Sequence, residues 1–406
     1  WSRKSCRVRR GDVADAGSES ALRVLLLAGV FEVRGSTATT VRLAEHLAEH
    51  GFDPLVVCSS ASRLSNETRR EISIREYSGL TTRVIGRLVR RLLARDLSQT
   101  PPDLIHVQSR RLASLGGWLA SYWSRPLVVS VNEVVGDREP LRMPRAVTRV
   151  VAPSEAVREA LVDRGGMEAD RVEVIPAGVD APQAERLVGV LESDHVPSIG
   201  TAGPLEAVKG LPYFLGAAQK VLATGRDVEF LVAGAGPEES NLRRLAGELG
   251  IRGRVTFLPN RPDFSDALAA VDVFCLPSLQ QGLGTIMLEA MSLGRPVIAS
   301  AVGGVPGAVR DGETGLVVPP GDSGALARGV LSLLDDPARA RMIGEAGQAE
   351  VMARFGTGAM VKRTAAVYNE VIEQAGRTAG AVEPTREHRE HRGHRGHRGH
   401  RENGTG

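Results

Sequence analysis

The chain has 406 residues, 24% charged and 42% hydrophobic, with a formal net charge of only +3. That length suits two domains of ordinary size, and that balance is the composition of a soluble globular protein. The small charge gives no whole-molecule attraction to nucleic acid, and 4% aromatic content leaves too few rings for a base-stacking platform.

Residues 1–20 read as a disordered N-terminus. Basic residues up to Arg10, followed by Val24–Phe31, imitate a leader peptide. Asp12, Asp15, Glu19 and Arg23 interrupt the approach, and no small-residue cleavage site follows. The chain proper then alternates apolar runs with amphipathic stretches. Arg23–Ala28 predicts a strand, Ser36–His50 a helix stopped by Gly51, and Pro54–Cys58 a strand. Thr82–Arg95 is a basic amphipathic helix, with Ile85, Leu88, Val89, Leu92 and Leu93 at helical spacing and five arginines on the remaining surface. Leu104–Val107 and Leu127–Val131 are buried strands around a helical stretch, Ser109–Trp123. Arg149–Ala152 is a strand, Ser154 caps a helix running to Arg164, and Val172–Ile175 closes this half. Gly178–Val196 is polar, lacks a period and contains Pro182, so a hinge is placed at 181–196.

The second half repeats the logic. Its strands are Ser198–Ala202, Val228–Ala233, Val255–Leu258, Val271–Leu276, Pro296–Ala299 and Leu316–Val318. Continuous apolar strands alternating with helices make a parallel sheet covered on both faces. The expected fold class is therefore α/β: two doubly wound Rossmann-like domains, 21–180 and 197–357, facing across a cleft, with ligands at the carboxyl ends of the strands. A final helix, 358–376, follows the break at Phe355-Gly356. Residues 377–406 carry a period-three His-Arg-Gly repeat without apolar residues after Val382, which predicts a disordered tail. No apolar run approaches the roughly 20 residues that span a bilayer. Cys6, Cys58 and Cys275 are odd in number and far apart, so neither a disulfide framework nor a zinc spacing exists. That pattern favours a reducing, cytoplasmic setting. No metal-ligand cluster is evident, and Asp335-Asp336 before Pro337 reads as a helix cap.

Three segments carry chemistry. Gln280-Gln281-Gly282-Leu283-Gly284 opens onto a helix from Thr285. Free amides and the positive end of the macrodipole lie there, and the glycines let backbone approach an anion. The helix is apolar almost all round, and Glu289 is the charged residue inside it, a carboxylate that needs either a basic partner or a ligand. Gly203-Pro204-Leu205 ends a strand and Lys209-Gly210 follows, a lysine placed for a diphosphate. Gly234-Ala235-Gly236-Pro237 mimics a dinucleotide fingerprint, but Glu239 occupies the third glycine position, which favours a structural turn.

The stretch Pro277–Ser300 resembles the donor-site signature of the retaining, nucleotide-sugar-dependent glycosyltransferases of family 4, also called group 1. Their pattern is two glutamates separated by seven residues, the first followed by Gly-Phe-Gly or Gly-Leu-Gly. Here Glu289 is the second, and Gln281 stands where the first would be. The resemblance implies that Glu289 meets the ribose, that position 281 meets the transferred sugar, and that Lys209 grips the diphosphate. It places Gly203, Gly282, Leu283, Gly284, Gly234 and Gly236 around the donor, and Gly35 and Asn132 on the acceptor or sugar side. Pro204 stands where the family has a phosphate-gripping Arg, and Asn132 where it often has a His. Gln281 can still hydrogen-bond a sugar hydroxyl, but without charge.

The implied fold is GT-B, with 358–376 as its crossover helix. The implied activity is retaining transfer from a nucleoside-diphosphate sugar to a glycan or lipid-linked hydroxyl, without cofactor or metal. A nucleotide-sugar epimerase or hydrolase on the same fold is one alternative; a non-catalytic nucleotide-sugar binder is the other. The basic helix at 82–95 suits weak contact with an anionic membrane face.

Overall fold

A computed structural model of the chain describes residues 21–31, 36–62, 64–80, 82, 86–133, 143–182, 189–192, 195–259 and 264–381. Its first sheet comprises β1 (Leu22–Leu27), β2 (Phe52–Cys58), β3 (Ile74–Glu76), β4 (Leu104–Val107), β5 (Leu127–Ser130), β6 (Val147–Ala152) and β7 (Val172–Val174). They lie in the order β3-β2-β1-β4-β5-β6-β7. The second comprises β8 (Ser198–Ala202), β9 (Glu229–Ala233), β10 (Val255–Leu258), β11 (Val273–Leu276), β12 (Val297–Ser300) and β13 (Leu316–Val318). Its order is β10-β9-β8-β11-β12-β13. Every strand pairing in both sheets is parallel.

The apolar runs explain the burial. All four residues of β4, β5, β11 and β12 are buried, as strands covered on both faces must be. β3 was not expected from sequence. It is three residues at the sheet edge, with Arg75 and Glu76 exposed, so no apolar run announces it. The expected helix at Ser36–His50 is α-helical to His46, then tightens to a 3₁₀ turn ending at left-handed Gly51. The helix after Ser154 is α-helical over Glu155–Glu159 and widens to a π-helical turn over Ala160–Arg164.

Each domain buries apolar side chains on both faces of its sheet. Within the segment 181–196, Val190 and Leu191 pack into the second core. Asp272 accepts from the Leu191 amide at 2.7 Å and the Ser198 amide at 2.8 Å. The last helix, Thr357–Ala381, crosses back and packs Met360, Val361, Ala365, Val367, Tyr368 and Val371 into the first core. His106 of β4 meets it there, with Nδ1 2.6 Å from Tyr368 Oη and Nε2 2.8 Å from Ser130 Oγ. The two chain crossings touch: the Val179 amide donates to Phe355 O at 2.8 Å, and the Thr357 amide to Val179 O at 3.1 Å. Residues 1–20 and most of the tail lie outside the described residues, as do 183–188 and 193–194 of the expected hinge. Cys58 and Cys275 are free and buried, and burial pushes the Cys58 thiol up to about 12.

Candidate functional site at the cleft

The strand order of the second sheet reverses between β8 and β11, so the loops leaving these two strands part at their carboxyl ends. These are the loops that carry Lys209 and Gln281. They are fastened to each other. The Leu279 and Gln280 amides donate to Val208 O at 2.9 and 3.3 Å. Left-handed Gly210 lies so close that a Cβ there would stand 2.0 Å from Pro277 O. The Lys209 ammonium donates to Gln281 Oε1 at 2.9 Å, and Ser278 Oγ to the same atom at 3.3 Å. Burial lowers the Lys209 pKa below its ordinary value, with Glu206 and Glu133 opposing that shift.

The loops after β8 and β9 nest through glycine. A Cβ on Gly234 would stand 1.9 Å from Gly203 O, and one on Gly236 2.3 Å from Leu205 O. Both Gly203 and Gly234 hold positive φ. Both glycines of the Gly-x-Gly-Pro turn are thus required by this close backbone packing.

Glu289 has found a basic partner. Arg42, from the helix Ser36–His46 of the first domain, donates through Nη2 to Glu289 Oε1 at 3.3 Å and through Nε to Asp180 Oδ2 at 2.8 Å. Thr357 Oγ1 donates to Asp180 Oδ1 at 2.5 Å. The Arg42 side chain is 12% exposed, and its buried Nη1 has no hydrogen-bond partner among the described residues. Burial works to lower its pKa, but Glu289 and Asp180 outweigh that and raise it. Burial likewise works to raise the Asp180 pKa, while Arg42 and Thr357 hold it below the ordinary range.

A second bridge joins the same two domains. Ser154 Oγ accepts from the Val157 amide as a helix cap and donates to Gly282 O at 2.8 Å across the cleft. The Gly304 amide donates to the same oxygen at 2.8 Å. A Cβ on Gly282 would meet Asn132 O of the first domain at 2.2 Å. The absent side chain at Gly282 thus serves closure of the domains on each other.

Arg42, Asp180 and Glu289 of the first bridge line a cavity of about 870 Å³. Of the residues expected at the donor, Gly203, Lys209, Gly236, Gln281 and Glu289 line it. Gly234, Gly282 and Gly284 stand behind the lining, and the Leu283 side chain is buried in the second core. Asn132 is exposed, is not among the lining residues, and donates to Gln108 O at 3.2 Å. Gly35 lies outside the described residues. Pro204 lines the wall and offers no N–H. Sequence reading missed Arg42, Asp180, Ser278 and Thr285 as lining residues. Nothing in a basic residue on a polar-looking helix distinguishes a cleft from solvent. Ser278 had a signal, a hydroxyl three residues before Gln281. Among the described residues no group of three or more His, Cys, Asp or Glu could hold a metal ion.

The two parallel sheets and the cleft between them define a two-domain GT-B architecture. A family profile described as glycosyl transferases group 1 matches residues 196–336, and one described as glycosyltransferase family 4 matches 33–182. The D-inositol 3-phosphate glycosyltransferase of Nocardia farcinica is 30% identical over 322 residues, covering 70% of this chain and 71% of that one. The alpha-D-kanosaminyltransferase of Streptomyces kanamyceticus is 33% identical over 180 residues, covering 44% of this chain and 47%, under half, of that one. The Anabaena HepE protein, crystallised with UDP and glucose, shares the fold with a TM-score of 0.74 at 20% identity, covering 86% of this chain and 100% of that one. Sucrose-phosphate synthase of Thermosynechococcus elongatus gives 0.70 at 21%, covering 87% and 100%. The chain belongs to the group 1 glycosyltransferases of family 4.

Proposed function

We propose that this protein transfers a sugar from a nucleoside-diphosphate donor to an acceptor hydroxyl, with retention of anomeric configuration. The observation that carries this is the convergence of Lys209, Gln281 and Glu289 on one cavity at the switch point of the second sheet. The diphosphate lies against Lys209 and the helix start at Thr285, whose amides precede the first bond donated by Met287 to Gly284 O. Glu289 takes the ribose. HepE, with its bound UDP and glucose, is the fold neighbour that supports such a ligand class.

Catalysis is then mainly charge stabilisation as the bond from the anomeric carbon to the phosphate oxygen breaks. Gln281 has no nucleophilic carboxylate to offer, and the Glu289 and Asp180 carboxylates are engaged by Arg42. We favour front-face attack. The acceptor oxygen bonds to the anomeric carbon on the departing side, and the leaving phosphate takes the acceptor proton.

The test is donor consumption with and without acceptor. Consumption that requires an added glycan or lipid-linked alcohol, with the anomeric configuration kept, supports transfer. Release or isomerisation without acceptor points to a hydrolase or epimerase. Binding without turnover points to a carrier.

The acceptor side carries a further clue. On the helix Gly86–Leu97, Val89, Leu93, Ala94 and Leu97 are buried. Leu88 and Leu92 instead stand 63% and 39% exposed, next to exposed Arg87, Arg91 and Arg95. We propose weak docking of this face on an anionic membrane surface, where each cation contributes about 1 kcal/mol. Sedimentation with anionic and neutral vesicles at low and high salt tests it. Equal recovery in the supernatant under all four conditions would remove the membrane from the reading. No helix among the described residues is long and apolar enough to cross a bilayer.

A further inference from the structure

Among the described residues, three carboxylates line the cavity: Asp180, Glu206 and Glu289. Two of them are engaged. Asp180 accepts through both oxygens, at Oδ2 from Arg42 Nε at 2.8 Å and at Oδ1 from Thr357 Oγ1 at 2.5 Å. Glu289 accepts from Arg42 Nη2 at 3.3 Å and is the residue assigned above to the ribose. The Glu206 carboxylate makes neither a hydrogen bond nor an ion pair among the described residues. It is the carboxylate of this cavity still open to a ligand.

The side chain is exposed, but the backbone that carries it is fixed. Just before it, buried Leu205 donates its amide to Ala235 O and accepts from the Glu238 amide, both at 3.0 Å. Glu206 donates its own amide to Pro204 O and accepts from the Lys209 amide, again at 3.0 Å. Positions 206 and 209 thus bracket a single 3₁₀ turn, Ala207–Lys209. The Glu206 charge acts on the Lys209 ammonium, and that ammonium donates to Gln281 Oε1 at 2.9 Å. Glu206, Lys209 and Gln281 therefore share one corner of the cavity.

A sugar hydroxyl both donates and accepts. In this corner the Gln281 oxygen is taken by Lys209 and by Ser278 Oγ at 3.3 Å. What Gln281 offers a ligand is its Nε2 group, which only donates. A hydroxyl that accepts from Nε2 must place its own proton elsewhere. A carboxylate is the strongest taker, since a charge-assisted hydrogen bond outweighs a neutral one. Lys209 is left to the diphosphate. We propose that Glu206 is the carboxylate that holds the hydroxyls of the donor's sugar. The inference rests on the donor-site reading above and names a sugar-binding residue of that site.

Calorimetry on the full chain, in EDTA, tests it with matched pairs: UDP and UDP-glucose, GDP and GDP-mannose, ADP and ADP-glucose. The readout is the ratio of the two dissociation constants within a pair, for whichever base binds. Glu206→Ala removes an acceptor from the sugar and a negative charge from beside the diphosphate. Its affinity for the nucleotide sugar should fall at least about tenfold, the low end for a charge-assisted bond. The bare nucleotide should bind as well as before or more tightly. Glu206→Gln, which keeps an accepting oxygen without the charge, should fall between Ala and the native residue. An unchanged melting temperature in both variants shows that the fold is intact. The two opposite signs are what a merely structural role for Glu206 cannot produce. An unchanged ratio in Glu206→Ala would overturn the proposal. So would an equal loss for the bare nucleotide, which would assign Glu206 to the nucleotide or to its own loop. A loss that appears only when magnesium replaces EDTA would also overturn it, giving the carboxylate to a bridging cation. Failure of every nucleotide to bind the native protein would instead overturn the donor-site reading beneath it.

Discussion

Arg42 and Glu289 show how much a single side chain can be asked to do. Glu289 sits on an otherwise apolar helix, faces a cation of the other domain, and lines the cavity proposed for ribose. If Glu289 serves only the ion pair, removing Arg42 relieves nothing at the ligand. If it serves both, the two variants couple. Glu289→Gln should weaken nucleotide binding while leaving the fold intact. In the cycle with Arg42→Met, the interaction term for donor affinity should depart from additivity by at least about 0.5 kcal/mol, as for residues in direct contact. Additive losses in calorimetry would return Glu289 to a purely structural role. Lys209 carries the second residue-scale prediction. Charge-assisted contacts contribute about 1.5–3 kcal/mol, so Lys209→Ala should cost one to two orders of magnitude in donor affinity. A loss below threefold would show that another cation holds the diphosphate. Its pH dependence has a definite sign. Burial lowers the Lys209 pKa, so the anion-binding ammonium is lost as pH rises, beginning below the range of an ordinary lysine. Donor affinity should fall along that alkaline limb, and Lys209→Arg should move the limb upward. A limb that stays put in the arginine variant would sink the assignment.

Among the elements, the loop 280–284 is the one about which the sequence said most and about whose neighbours it said least. Its glycines were legible as a backbone device. What they approach was not, because the partner is Asn132 O, 150 residues away in the chain. A Cβ at Gly282 would stand 2.2 Å from that backbone oxygen. Gly282→Ala should therefore hold the domains apart: donor KM and turnover should worsen together, with little change in melting temperature. Wild-type kinetics in that variant would mean that the contact is dispensable. The strands and their parallel pairing were readable because burial on both faces leaves continuous apolar runs. β3 escaped because two of its three residues point to water. The helix Gly86–Leu97 was readable as amphipathic, but its stripe proved wider than its burial: Leu88 and Leu92 share the helical period of Val89 and Leu93 and lie outside the core. Periodicity reports where apolar side chains point, and only packing decides whether anything covers them. Arg42 and Ser154 were illegible as cross-cleft residues for a related reason. Each obeys a local rule, a surface cation on a helix and an N-cap, and its second contact exists only in the assembled pair of domains.

The whole molecule is tied together at the ends of its chain crossings, and the crossover helix is the longest tie. Its Tyr368 is fully buried, packs edge-on against Phe52 at 5.4 Å, and meets His106 beneath the first sheet. Burial drives the His106 pKa down to about 3 from an ordinary 6.5. The consequence for stability follows from linkage. Between those two values the unfolded chain binds a proton at His106 and the native protein does not. The unfolded state is then favoured by falling pH, so stability rises as pH climbs from about 3 toward 6.5 and is insensitive to this group above that. At full effect one proton changes the unfolding constant by about tenfold per pH unit. Urea unfolding at pH 7, 6, 5 and 4 reads this directly. The protein with His106 should lose stability more steeply over that series than a His106→Gln variant, which keeps a polar group between Tyr368 and Ser130 but cannot titrate. Subtracting the two profiles removes the carboxylates common to both. Parallel profiles would mean that His106 takes up its proton in the native state as readily as in the unfolded chain.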